Sequence, residues 1–178
     1  PAEQDTCFGT WPPSEEDGTL VGGMGIYVSE VAFFVSRPLT FLIWGGVFER
    51  HPNLKVAVTE GTAVWVPEFL SLLDHRYGAH RGSEKLGDYR SHLSLKPSEY
   101  FARNIRIGTN LKIAEIEQRH EIGVGTMMWG SDYPHPEGSW PETSERLDEN
   151  FKGVPIEDIR AIVGGNAAEF YGLDTEKL

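Results

Sequence analysis

Three β-rich runs limit what this chain can become: "LKVAVTEG" at 54–61, "IRIGT" at 105–109 and "TMMWGSD" at 126–132. Each is short, and amphipathic helical stretches lie between them. Short apolar strands are buried on both faces, and strands joined through helices run parallel. The expected fold is therefore α/β, with about three parallel strands and flanking helices. Such a sheet leaves an open edge on each side, which proteins usually cover.

The helices follow from apolar spacing. Ser29-Glu30 opens a short helix, "EVAFFVS". In "RPLTFLIWGGVFERHP", Pro38 suits a first helical position, Leu39, Leu42, Ile43 and Val47 share a face, and Pro52 enforces a stop. In "PEFLSLLDHRYG", Val66, Phe69, Leu70, Leu73 and Tyr77 keep helical spacing, and Gly78 reads as a C-terminal cap. "KPSEYFARN", "LKIAEIEQRHEIG", "SERLDENFKG" and "PIEDIRAIVGG" read as further helices. "NAAEFYG" reads as the last, with Asn166 as its N-cap. Residues 1–28 are rich in Gly, Pro and acids and have no period, so they read as a long, partly disordered loop before a folded domain at 29–178. The chain opens on Pro1 in loop-like sequence, and the expectation is the middle of a longer protein.

Composition narrows the function classes. The 178 residues, 39% of them hydrophobic, suit one domain with a sizeable core. A formal net charge of -11 argues against nucleic acid or an anionic membrane as partner, since both need a basic face. No apolar run approaches the roughly 18 residues of a membrane span. The lone Cys7 excludes an internal disulfide and fits a reducing cytoplasm.

Chemistry in parallel α/β folds gathers beyond the carboxyl ends of the strands. Asp132 stands there, in "WGSDYPHPEG" after the third run. A rim carboxylate can ligate a divalent metal or take a proton; an Asx-turn is the bland alternative. His135, between Pro134 and Pro136, can bind substrate or act as acid or base beside Asp132, or simply sit on the surface. Glu60 ends the first run and would share that rim, for acid–base work or as a solvated side chain. Trp65 and Trp140 follow rim segments and can wall a substrate pocket or pack in the core. His51 reads as a helix C-terminal cap, while His75, His80, His92 and His120 show no metal-ligand spacing. No P-loop and no G-x-S-x-G elbow is present.

Four segments, "GVFERHPNLKVAVTEG", "KPSEYFARN", "WGSDYPHPEGSWP" and "GGNAAEFYG", in that order, resemble the amidohydrolase-related family, in the branch of aminocarboxymuconate-semialdehyde decarboxylase and its relatives. The resemblance runs from about residue 29 to 172. It implies a (β/α)8 TIM barrel with one divalent metal, usually zinc, that hydrolyses or decarboxylates small organic acids. It places Asp132 on the metal-binding Asp of strand eight, and Glu60 where several relatives carry a functional His at the end of strand six. The family's strand-one H-x-H pair is absent from this sequence, and no strand-five His is identifiable. The resemblance therefore implies the C-terminal portion of a barrel, strands six to eight, incomplete and inactive alone.

Two functional expectations follow. One is a metal-dependent hydrolase or non-oxidative decarboxylase, with Asp132, Glu60 and His135 catalytic and with Trp140, His135 and Trp65 on the substrate. Its partners would be a small-molecule substrate and an upstream half of the barrel. The other is a non-catalytic α/β module that covers its strand edges by forming a homodimer.

Overall fold

A computed structural model describes residues 23–79 and 87–177. Cys7 and His80 lie outside the described residues, as does most of the loop expected at 1–28. Helix α1 spans Gly23–Trp44, α2 Val47–Arg50, strand β1 Val56–Thr59 and α3 Val66–Gly78. Then come α4 Pro97–Asn104, β2 Ile105–Thr109, and α5 Ile113–Glu117 with α6 Arg119–Ile122. A 3-10 turn, Val124–Thr126, leads into β3 Met127–Trp129. Helix α7 Thr143–Asn150 and α8 Ile156–Arg160 follow, then a π-helical turn Ala161–Gly165 and α9 Asn166–Tyr171.

The strands lie in the order β1-β2-β3, all parallel. Register puts Val58, Ile107 and Met127 in one row across the sheet. That row joins a buried core with Leu39, Ile43, Leu73, Ile116 and Ile162, so this face is covered by helices. The alternate row, Thr59, Gly108 and Met128, takes the opposite face because side chains alternate along a strand. Met128 is buried yet stands apart from that core, as this alternation requires.

Several boundaries differ from the sequence reading. The helix expected from Ser29 already runs from Gly23, so the loop boundary at 28 moves back. Pro38 does not start a helix; it sits inside α1. An internal proline costs about 3 kcal/mol. Burial of Leu39 and Ile43 immediately after it offsets that cost. The break comes instead at Gly45-Gly46, where Gly46 adopts φ 66°. Gly78 closes α3 without a left-handed cap; the capping residue is Ala79, in extended conformation. The stretch "LKIAEIEQRHEIG" divides at Gln118, which leaves helical geometry at φ -88°, ψ 10°.

Asn166 is not an N-cap. It has helical dihedrals, φ -64° and ψ -38°, and the turns before it carry the helix in from Ile156. Its side-chain amide donates to the Val124 and Met127 carbonyls, each at 2.7 Å. The C-terminal helix is thereby bolted to β3.

A second network joins α2 to α4 through the buried Tyr100. The Tyr100 hydroxyl donates to Glu49, and Ser94 gives Glu49 both its hydroxyl, at 2.9 Å, and its N–H, at 3.3 Å. These donors, Tyr100 foremost, hold the Glu49 carboxyl below the usual range. Burial first, and the bond to Glu49 second, hold the Tyr100 phenol above its usual range. A depressed carboxyl gives stability above its unfolded pKa and loses it as pH falls through the folded one; a raised phenol loses its contribution as pH rises. Thermal midpoints measured against pH should therefore fall on both flanks. Glu49→Gln should flatten the acid flank and Tyr100→Phe the alkaline one.

Candidate functional site

The rim is built where the strand ladder runs out. The Glu60 N–H donates to Gly108 O at 3.2 Å, and Gly130 N–H donates to Thr109 O at 3.0 Å. The chain then turns away from the sheet at both places. Among the described residues, three that are not glycine adopt positive φ: Glu60 at 60°, Thr62 at 47° and Asp132 at 59°. All three stand just past the carboxyl ends of β1 and β3. Such conformations are disfavoured for residues with a Cβ and cluster at functional sites.

Asp132 is held by a loop that closes on itself. The Ser139 N–H donates to Ser131 O at 2.8 Å, and its hydroxyl lies 3.3 Å from the same oxygen. His135 N–H donates to Asp132 O at 2.8 Å, and Gly138 N–H to His135 O at 2.9 Å. Gly138 is the keystone of this loop. A Cβ there would lie 2.8 Å from Ser131 O and 2.9 Å from both Asp132 O and His135 O. The peptide bonds Tyr133–Pro134 and Trp140–Pro141 are cis.

The side chains divide into partners and neighbours. His135 Nδ1 lies 3.6 Å from Asp132 Oδ2, too far for a hydrogen bond. The same nitrogen accepts the Glu137 N–H at 3.3 Å, which places the ring proton of a neutral imidazole on Nε2. The imidazole is mostly exposed while the Asp132 carboxylate is partly covered, so the pair faces solvent at the mouth of the loop. Glu60 is exposed on the same rim, and β2 lies between it and Asp132. Two strand spacings, about 10 Å, separate the ends of β1 and β3 from which these two carboxylates rise.

The two tryptophans differ. Trp65 donates its indole N–H to Gly61 O at 2.8 Å and Thr62 O at 3.1 Å, and its ring packs edge-on against Phe69. It braces the Glu60–Thr62 turn from below. Trp140 is exposed and meets the exposed Tyr133 edge-on, with ring centroids 5.6 Å apart. Sequence reasoning passed over Ser131, Gly138 and Ser139, although Ser and Gly at both ends of "SDYPHPEGS" could have suggested a closed loop.

A concavity lined by Tyr77, Asp88, Tyr89, Arg90 and Leu93 lies elsewhere. It sits at the far end of α3, which starts near the rim and carries the chain about 20 Å away from it.

The amidohydrolase family profile matches residues 31–173. The chain belongs to the amidohydrolase family. It is 28% identical over 140 residues to 2-amino-3-carboxymuconate-6-semialdehyde decarboxylase of Dictyostelium discoideum, covering 76% of this chain and 36% of that protein. Among solved structures it resembles an amidohydrolase of Mycobacterium avium subsp. paratuberculosis K-10, with TM-score 0.65 and 25% identity over 82% of this chain and 35% of that one. It also resembles a dihydroxybenzoic acid decarboxylase of Polaromonas sp. JS666, solved with manganese and the inhibitor 2-nitroresorcinol. There the TM-score is 0.62 and the identity 20%, over 95% of this chain and 50% of that one. The chain thus spans about a third of the curated relative it matches. The three parallel strands and their outer helices form a portion of a (β/α)8 barrel. No described helix is long and apolar enough to cross a membrane.

A protein-held catalytic metal takes about three side-chain ligands. Among the described residues, no group of three or more His, Cys, Asp or Glu side chains is placed to hold one. Asp132 with His135 falls short of that set.

Proposed function

We propose that this chain carries part of the active-site rim of a decarboxylase or hydrolase of the amidohydrolase family, acting on a small unsaturated or aromatic carboxylic acid. The observation that carries it is the placement of Asp132, held at positive φ beyond β3 by a loop that closes on itself. The curated relative, a decarboxylase, supports C–C cleavage over hydrolysis. On this reading Asp132 is one ligand of a divalent metal, zinc or manganese, whose other ligands come from outside the described residues. Loss of CO2 leaves an electron pair on carbon, and a proton must arrive there. Glu60 and His135 are the rim groups able to carry one. Trp140 flanks the bound acid, and Trp65 fixes the floor beneath Glu60.

The test is Asp132→Asn. Asn tolerates the left-handed conformation at least as well as Asp, so the fold and thermal midpoint should stay. In the complete barrel, with the upstream half present, turnover of a panel of dihydroxybenzoates and muconate-like acids should fall at least 100-fold, and bound metal, by elemental analysis, should fall with it. Near-normal turnover in this variant would sink the assignment.

One observation favours a second reading, in which the chain is a non-catalytic module. Among the described residues, β1 and β3 each pair only with β2. Edges of this kind are covered by a homodimer or by an upstream half of the barrel. A clean monomer by light scattering would remove the self-association form of this reading.

A further inference from the structure

We infer that Glu115 is a positioning residue for the rim, holding the Glu60 turn in place from the helix that follows the neighbouring strand. This rests on the reading that Glu60 works at that rim. Glu115 is the third residue of α5, and its Oε2 accepts the Lys112 N–H at 3.0 Å. That much is ordinary helix capping. Its other oxygen, Oε1, accepts the Ala63 N–H at 3.4 Å, across 52 residues of sequence. Glu115 is only 4% exposed, and among the described residues no lysine or arginine pairs with it.

The chain contains its own comparison. "KPSE" and "KIAE" present the same pattern, a lysine at the helix start and a glutamate three residues on. In the first, Glu99 Oε2 accepts the Lys96 N–H at 2.7 Å, and Glu99 is exposed. A cap has no need of burial, and a buried carboxylate is costly unless its oxygens are bonded. What distinguishes Glu115 is the second bond. It reaches the first amide after the left-handed pair Glu60 and Thr62, on a residue with no exposed surface. The rest of the turn is already fastened, by Gly108 O at Glu60 N–H and by Trp65 beneath Gly61 and Thr62. Without Glu115 the buried Ala63 N–H would have no acceptor, and the turn would be free to relax toward negative φ.

Amide hydrogen exchange by NMR on the chain tests this, with Glu115→Ala, Glu115→Gln and Glu99→Ala side by side. Glu115→Ala should speed exchange at Ala63 at least tenfold relative to Ile107 in β2. Glu115→Gln, which keeps one acceptor oxygen, should fall between, and it carries the comparison if the alanine variant does not fold. Glu99→Ala should leave the Ala63-to-Ile107 ratio unchanged. An unchanged ratio in both Glu115 variants, or an equal rise in Glu99→Ala, overturns the proposal. Turnover of the complete barrel, with the upstream half present, supplies a second arm. Glu115→Ala should lower kcat more than it raises KM, and should cost nothing further in a Glu60→Gln background; additive losses would mean Glu115 does not act through Glu60. If the complete barrel shows no turnover, the proposed function fails while the exchange ratio still decides the part played by Glu115.

Discussion

Asn166→Ala is expected to destabilise the chain by about 1.5–4.5 kcal/mol: roughly 0.5–1.5 for the bond lost at Val124 O, which keeps the Met127 N–H as a donor, and roughly 1–3 for the bond lost at the buried Met127 O. The affected groups are Val124 O and Met127 O, which the amide now reaches at 2.7 Å each. That loss is a large share of the roughly 5–15 kcal/mol by which domains are stable. The thermal midpoint should drop by roughly 3–18 °C for a chain of this size. Asn166→Asp should be at least as harmful, since a carboxylate cannot donate and would face two carbonyl oxygens. A midpoint within 2 °C of the parent in both variants would show that the C-terminal helix does not fasten β3.

Gly138→Ala is expected to damage the site far more than the fold. The added Cβ would meet three backbone oxygens at 2.8–2.9 Å, and none of these can swing aside as a side-chain tip would. Overpacking of this kind costs about 1–3 kcal/mol when the surroundings shift. The shift falls on the backbone of Ser131, Asp132 and His135 together. A displacement of about 1 Å in a positioned group can cost about 100-fold in rate. In the complete barrel, turnover and metal content should therefore collapse while most of the thermal midpoint survives. Gly130→Ala is the matched control, because a Cβ there meets nothing within 4 Å. Equal behaviour of the two variants would deny Gly138 its part in shaping the loop.

The sheet was legible because its signals are local. Short apolar runs separated by helical periods leave few alternatives to a parallel arrangement, and the observed order β1-β2-β3 follows. The rim positions of Glu60 and Asp132 were legible for the same reason: each is the first charged residue after a strand. Pro38 misled because local propensity favours a helix start, whereas burial of Leu39 and Ile43 carries α1 straight through it. Asn166 misled in the same way. Gly164-Gly165 reads as a break, but packing against β3 keeps the helix going through a π turn and aims the amide inward. Glu115 was not legible at all. Its pattern is shared with Glu99, and only the tertiary fold decides that one of the two is buried beside Ala63.

The three left-handed residues have a consequence for anyone improving this protein. Each holds its backbone in a conformation that costs about 1–3 kcal/mol. Glycine would relieve that cost at Glu60, Thr62 and Asp132 alike, so selection for heat resistance alone would drift these positions toward glycine. Two of the groups proposed to act at the rim would vanish on the way. The rim is where durability and activity compete in this chain, and a thermostabilised version should be engineered with those positions frozen.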